Sequence, residues 1–265
     1  MVTGKVRPKK HLGQHFLKDK KIAASIVESL RADNCDTVVE IGPGMGVLTQ
    51  FLVLRKFKSL KVVEIDREAV DYLRTNISGI DEIISGDFLE LDLEEVGPGR
   101  MAVIGNFPYN ISSQIFFRVL ENRSKVTEVT GMVQKEVAER ICSGPGSRVY
   151  GILSVLLQAW YDIDYLFTVS ETVFSPPPKV KSAVLHLTRN SRHTLGCDEG
   201  LFLAVVKRCF NQRRKMIRNP IKSLVTADAG DHPLLTMRPE QLSVEQFVEL
   251  TNWVSLNRAV NNGDN

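Results

Sequence analysis

The sequence predicts an α/β fold followed by a small all-helical C-terminal domain. Three observations predict it. Short β-branched runs at Thr37–Ile41, Leu60–Asp66 and Met101–Gly105 alternate with stretches of helical apolar spacing. A glycine turn, Gly42-Pro43-Gly44-Met45-Gly46, joins the first run to an apolar helical stretch, Val47–Leu54. Beyond a polar boundary near Thr188–Cys197 the pattern is helical and carries a basic face. The expected domains are 1–190 and 191–265.

Each element has a local reason. Asp19 is placed to cap a helix with Ile22, Ala23, Ile26, Val27 and Leu30 on one face. Thr37–Ile41 reads as a buried strand feeding the glycine turn, the first unit of a nucleotide-binding α/β domain. Asp66 is a candidate cap for a helix over 67–76, and Glu82–Ile84 reads as a third strand. Met101–Gly105 is a fourth, and Ile115, Phe116, Val119 and Leu120 share a helical face after it. Val126–Gln134 reads as strand, Lys135–Cys142 as helix, 143–147 as a mobile loop and Gly151–Trp160 as an apolar helix. Tyr161–Val169 and Ser182–Leu187 complete the strands. In the last domain Asp198 caps a helix with Phe202, Val205, Val206 and Cys209 inward, and Phe247, Leu250 and Val254 mark the final helix. The tail 261–265 is expected to be disordered.

Composition narrows the class. Of 265 residues, 43% are hydrophobic and 25% charged, as in soluble globular chains. No apolar run approaches the roughly 20 residues needed to cross a bilayer, and no secretory h-region is visible. Four scattered cysteines without a C-x-x-C pair fit reduced thiols, and no metal site is expected. The net charge of +3 conceals two basic zones. Residues 1–22 hold Lys5, Arg7, Lys9, Lys10, Lys18, Lys20 and Lys21 against Asp19 alone. Residues 201–227 hold Lys207, Arg208, Arg213, Arg214, Lys215, Arg218 and Lys222 with no acid. These zones carry +6 and +7 against a total of +3, which leaves −10 for the rest. Two such runs point to a phosphate-binding surface.

The chemistry concentrates at strand ends. Asn106-Phe107-Pro108-Tyr109 lies between a strand and a helix, where open α/β sheets bind ligands. The Asn106 amide oxygen and the Phe107 carbonyl suit one exocyclic amine, Pro108 stiffens the loop, and Tyr109 offers a face for a flat base. Glu40, just before the glycines, disfavours a pyrophosphate and favours a cationic ligand such as S-adenosylmethionine. Glu64, about 20 residues after the turn, suits ribose hydroxyls. Asp87 suits an adenine amino group with Phe88 on the ring. Phe174, ahead of Pro176-Pro177-Pro178, is either held against a substrate by that rigid segment or packed in the core beside a stiff connector.

These motifs resemble the KsgA/RsmA-type small-subunit ribosomal RNA adenine dimethyltransferases. The resemblance runs from about Arg7 to Leu256. It rests on Leu12–Leu17, Glu40–Gly44, Glu64–Asp66, Asn106–Asn110, Phe174–Val180 and Phe210–Lys215, the last two being the specific ones. Phe107 departs from the family's usual Leu, with a small effect on packing expected. The resemblance implies a Rossmann-like class I methyltransferase domain and a helical RNA-binding domain. It implies S-adenosyl-L-methionine contacts at His15, Leu17, Gly42, Glu64, Asp87 and Asn106, with Gly44 in the same turn. It implies dimethylation at N6 of two adjacent adenosines in the 3′-terminal hairpin of small-subunit rRNA, on assembling 30S subunits, by a cytoplasmic monomer. Tyr109 and Phe174 would sandwich the target base, and Arg213, Arg214, Lys215, Lys207 and Arg208 would meet phosphates. The alternatives are a large-subunit rRNA methyltransferase of the macrolide-resistance type, which lacks the Phe210–Lys215 segment, a DNA adenine methyltransferase, and a non-catalytic assembly factor on the same fold.

Overall fold

The structure is a computed structural model and describes Val6, Pro8, Lys9 and residues 12–258. Lys5, Arg7 and Lys10 of the basic N-terminal zone, and the tail, lie outside the described residues.

In chain order the elements are β1 (Phe16–Leu17), α1 (Lys20–Ser29), β2 (Thr37–Ile41), α2 (Thr49–Leu52), β3 (Leu60–Glu64), α3 (Arg67–Asn76), β4 (Glu82–Ser85), α4 (Leu93–Val96), β5 (Met101–Asn106), α5 (Ser112–Glu121), β6 (Val126–Gln134), α6 (Lys135–Cys142), α7 (Ile152–Gln158), β7 (Tyr161–Val169), β8 (Phe174–Ser175), β9 (Ser182–Arg189), α8 (Glu199–Asn211), α9 (Arg218–Ile221) and α10 (Val244–Leu256). The chain forms two compact units, residues 1–139 with 161–189 and residues 140–160 with 190–265. The sequence placed one boundary near residue 190. The structure adds a second crossing, because the apolar face of α7 packs against α8 and α10.

The first unit is built on a seven-stranded sheet of order β4-β3-β2-β5-β6-β9-β7. The five strands from β4 to β6 run parallel, and β9 and β7 are antiparallel additions. This is a Rossmann-like open α/β sheet. All five residues of β2 are buried, as a strand covered on both faces requires. Helix starts follow the expected caps. Asp19 accepts from the N–H groups of Lys21 and Ile22, and Asp66 from that of Glu68, each worth about 1 kcal/mol. Helix α2 is shorter than the apolar pattern suggested, since three-residue turns close both sides of it: Phe51 bonds back to Leu48 and Leu54 to Phe51.

Two short strands were not foreseen. β1 pairs antiparallel with β8, setting Phe16 opposite Ser175 and Leu17 opposite Phe174. Leu17 and Phe174 are thereby turned into the core with Ala23, Ile26, Met132 and Val184.

In the second unit, α8 and α10 are capped by Asp198 and by a Ser243–Gln246 capping box. Between them the chain makes only short helical turns, consistent with Pro220, Pro233 and Pro239.

Candidate active site

The strand order reverses direction at β2 and β5, and the cleft opens beyond their carboxyl ends, as expected for an open parallel sheet. Its enclosed volume is about 190 Å³. Its walls come from the glycine turn, from Val63–Ile65, from Gly86–Phe88, from Asn106–Ile111 and from Leu12–Phe16.

The floor is organised around Glu64. Its Oε2 accepts from the Gly44 N–H and its Oε1 from the Asp66 N–H, both at 2.9 Å. Burial pushes its carboxyl up, opposed by those two donors. A carboxylate has about four acceptor positions, so two N–H bonds leave capacity for a ligand's hydroxyls. Gly44 has φ +57°, and a Cβ there would stand 2.9 Å from the Phe16 ring, so only glycine lets the turn meet the N-terminal wall. That wall is tied down by Asp66. Its Oδ1 receives Lys9 Nζ at 2.6 Å and its Oδ2 receives Gln14 Nε2 at 3.4 Å. Burial alone would raise the Asp66 carboxyl, but these donors hold it below the usual range. Lys9, expected to face phosphates, is thus engaged by Asp66 and Glu68.

Glu40 does not join this wall. It is 1% exposed, and Thr49 donates to its Oε2 at 2.6 Å. Strand alternation presents Ile41 to the cleft and sends Glu40 beneath the turn. Burial raises its carboxyl to about 8, with the Thr49 bond opposing and Glu64 adding to the rise. Glu40 is not among the residues that line the cleft, where the sequence expected it. Leu17 is likewise buried in the core rather than on the cleft.

The other half of the cleft is the Asn106–Tyr109 loop. Asn106 Nδ2 donates to the His15 carbonyl at 2.9 Å, which commits the amide NH2 and leaves Oδ1 as its acceptor. Phe107 is fully buried, edge-on to Phe116 at 5.9 Å. Tyr109 is bonded through its hydroxyl to the Ser182 side chain. Its ring partner is His15, with centroids 5.2 Å apart and planes 31° apart. Phe174 is not that partner. It is 1% exposed and lies in the core, because β8 pairs with β1. The structure therefore does not form the Tyr109–Phe174 sandwich.

In the second unit Lys207, Arg208, Arg214 and Lys215 are exposed. Arg213 donates through a guanidinium nitrogen to the Ser147 carbonyl at 3.2 Å, and the Gly146 N–H donates to the Glu240 carbonyl. The loop expected to be mobile is thus bonded at two points.

Residues 6–256 match the family described as ribosomal RNA adenine dimethylase. The chain belongs to the ribosomal RNA adenine dimethylase family. It is 61% identical over 249 residues to the ribosomal RNA small subunit methyltransferase A of Parabacteroides distasonis, covering 93% of both chains. It is 58% identical over 258 residues to that of Bacteroides thetaiotaomicron, covering 94% of both. Among solved structures, a dimethyladenosine transferase from Plasmodium falciparum shares the fold at TM-score 0.75 and 22% identity, over 92% of this chain and 100% of that one. The 23S rRNA methyltransferase ErmE aligns at TM-score 0.67 and 26% identity, over 91% and 99%. The far higher identity to the small-subunit enzymes disfavours the large-subunit alternative.

As a ribosomal RNA adenine dimethylase, the chain also shows site residues that sequence reasoning did not single out. Gln14 and Asp66 fasten the N-terminal wall. Ser182 holds Tyr109 from 73 residues away, and Ile65 lines the cleft while 49% exposed. Gln14 stood inside a quoted motif, and Ile65 lies just past the end of β3. Nothing local signals Ser182.

Proposed function

We propose that this cleft binds S-adenosyl-L-methionine beside a flipped-out adenine and that the chain dimethylates N6 of two adjacent adenosines of small-subunit rRNA. The observation that carries this reading is the meeting of Glu64, Asp87 and the Asn106–Tyr109 loop in one cleft. Bound S-adenosyl-L-methionine supplies an electrophilic methyl group on a sulfonium sulfur. Glu64 takes the ribose hydroxyls, and Asp87 with Phe88 takes the adenine ring of the cofactor. Gly42 and Gly44 keep the backbone close to it, and the wall of His15 covers its other end.

An N6 amine inside a helix is unreachable, so the target base leaves its stack. Asn106 Oδ1 and the Phe107 carbonyl hold its N6 hydrogens and turn the nitrogen lone pair toward the methyl. Tyr109 stacks on the ring, and Pro108 keeps the loop rigid. Transfer is an in-line displacement: the nitrogen–methyl bond forms as the sulfur–methyl bond breaks, and positioning supplies much of the rate. No strong base is required, since the alkylated nitrogen becomes acidic and releases its proton to water. Arg213, Arg214, Lys215, Lys207 and Arg208 bind phosphates of the assembling 30S subunit. The enzyme acts as a cytoplasmic monomer. Among the described residues no helix is long and apolar enough to cross a membrane.

The test is incubation of unmethylated small subunits with labelled cofactor, followed by nucleoside analysis. N6,N6-dimethyladenosine at adjacent positions is the expected product. Label confined to large-subunit RNA, or absent altogether, overturns the assignment.

A further inference from the structure

Tyr109 is not a bare platform. Two plates that admit a purine between them stand about 7 Å apart, twice the contact distance of stacked carbon atoms. The rings of His15 and Tyr109 are 5.2 Å apart, so the face of Tyr109 that meets His15 is closed to a base. Tyr109 is tethered by Ser182. The backbone of residue 15 is also held, by the Asn106 amide on its carbonyl and by the β1–β8 pairing that follows. The imidazole is not held so firmly. It has one hydrogen bond, Nδ1 to the Pro176 carbonyl at 2.8 Å, in an exposed position. A carbonyl only accepts, so Nδ1 carries the hydrogen. The side chain can therefore swing about its own torsions without disturbing Asn106.

We propose that His15 is a positioning residue of the target-base site: its imidazole covers the stacking face of Tyr109 until the incoming adenine displaces it. The proposal rests on reading Asn106–Tyr109 as the base site. The cost of displacing the imidazole is the same for every base, so the cover acts on access and not on the choice of base.

Two variants separate ring from hydrogen bond. His15→Asn keeps a donor near the Nδ1 position and removes the ring. His15→Phe keeps a ring and removes the donor. With unmethylated small subunits as variable substrate and tritiated S-adenosyl-L-methionine saturating, His15→Asn lowers KM about three- to tenfold and His15→Phe raises it by a similar factor. Calorimetric Kd for S-adenosylhomocysteine, measured for both variants, separates any loss of the cofactor contact from the change in KM. A structural role alone would not lower KM, nor move it in opposite directions in the two variants. A KM for His15→Asn equal to or above that of the unsubstituted enzyme overturns the proposal. Tyr109→Ala in the same assay tests the underlying reading. If Tyr109→Ala methylates at the full rate, the base site itself is misassigned. If it is inactive while His15→Asn leaves KM unchanged, only the cover falls.

Discussion

The side-chain amide of Asn106 donates to the main-chain carbonyl of His15 across 2.9 Å, joining the end of β5 to a residue 91 positions earlier. The bond decides which way the amide faces. Asn106→Ala removes the acceptor proposed for N6 and should lower methyl transfer at least about 100-fold, as loss of a positioning group does. Cofactor affinity should change far less. Asn106→Asp would set a carboxylate oxygen against the His15 carbonyl and should be no better. A labelled-methyl assay beside calorimetry separates the two effects, and full activity in either variant would remove Asn106 from the chemistry.

Glu64→Gln should weaken cofactor binding about 10- to 100-fold. Gly44 and Asp66 each direct an N–H at one Glu64 oxygen. A Gln amide must point its NH2 at one of those donors, leaving a buried clash of like dipoles. Calorimetry with S-adenosylhomocysteine measures it, and unchanged affinity would reject Glu64 as the ribose partner.

Glu40 ties stability to pH. Its folded carboxyl lies near 8, above its unfolded value near 4.5. Stability from this group is fully present below the unfolded pKa and is lost as pH rises through the folded one. Glu40→Gln should therefore gain on the unsubstituted chain between pH 5 and pH 9, by on the order of 4 kcal/mol. Urea denaturation at both pH values checks this, and a parallel pH profile in the two proteins would refute it.

Replacing Arg213, Arg214 and Lys215 with Ala should weaken RNA binding and flatten its dependence on salt. Three lost phosphate contacts reduce the log–log slope by about 2 to 3. Because Arg213 also donates to the Ser147 carbonyl, Arg214→Ala with Lys215→Ala alone gives the cleaner reading of charge. A filter-binding titration with an unaltered slope would move the RNA surface elsewhere.

Phe107 and Gly131 are sized for each other. A Cβ on Gly131 would stand 2.4 Å from the Phe107 ring. Gly131→Ala should destabilise the first unit by about 1–3 kcal/mol, as overpacking does. Phe107→Leu should recover part of that loss in the double variant. Equal penalties for Gly131→Ala with Phe and with Leu at position 107 would show that the ring is not what the glycine accommodates.

Local chemistry was readable and non-local pairing was not. Asp19, Asp66 and Asp198 announced their helices because a cap acts on N–H groups two or three residues away. The β-branched runs announced buried parallel strands. Insertion of β9 between β6 and β7 had no local signature, since pairing partners are far apart in sequence. The same cause hid the fate of Phe174. Its motif allowed a plate for a base or a core residue, and pairing of residues 174–175 with 16–17 turns the ring into the core. The placement of Glu40 has a related cause: it is buried below the turn, where Thr49, nine residues on, donates to it. Glu64, Asp87, Asn106 and Tyr109 lie at or just beyond strand ends, where topology alone brings them to one cleft.

The chain leaves its first unit after Glu139 and returns at Tyr161. The helical unit is therefore not an appendage that a stop codon can remove. Cutting after Arg189 would strand α7, with Leu153, Val155 and Leu157 stripped of α8 and α10, as a sticky apolar insert on the catalytic half. The catalytic half can be freed only by excising residues 140–160 as well and rejoining α6 to β7.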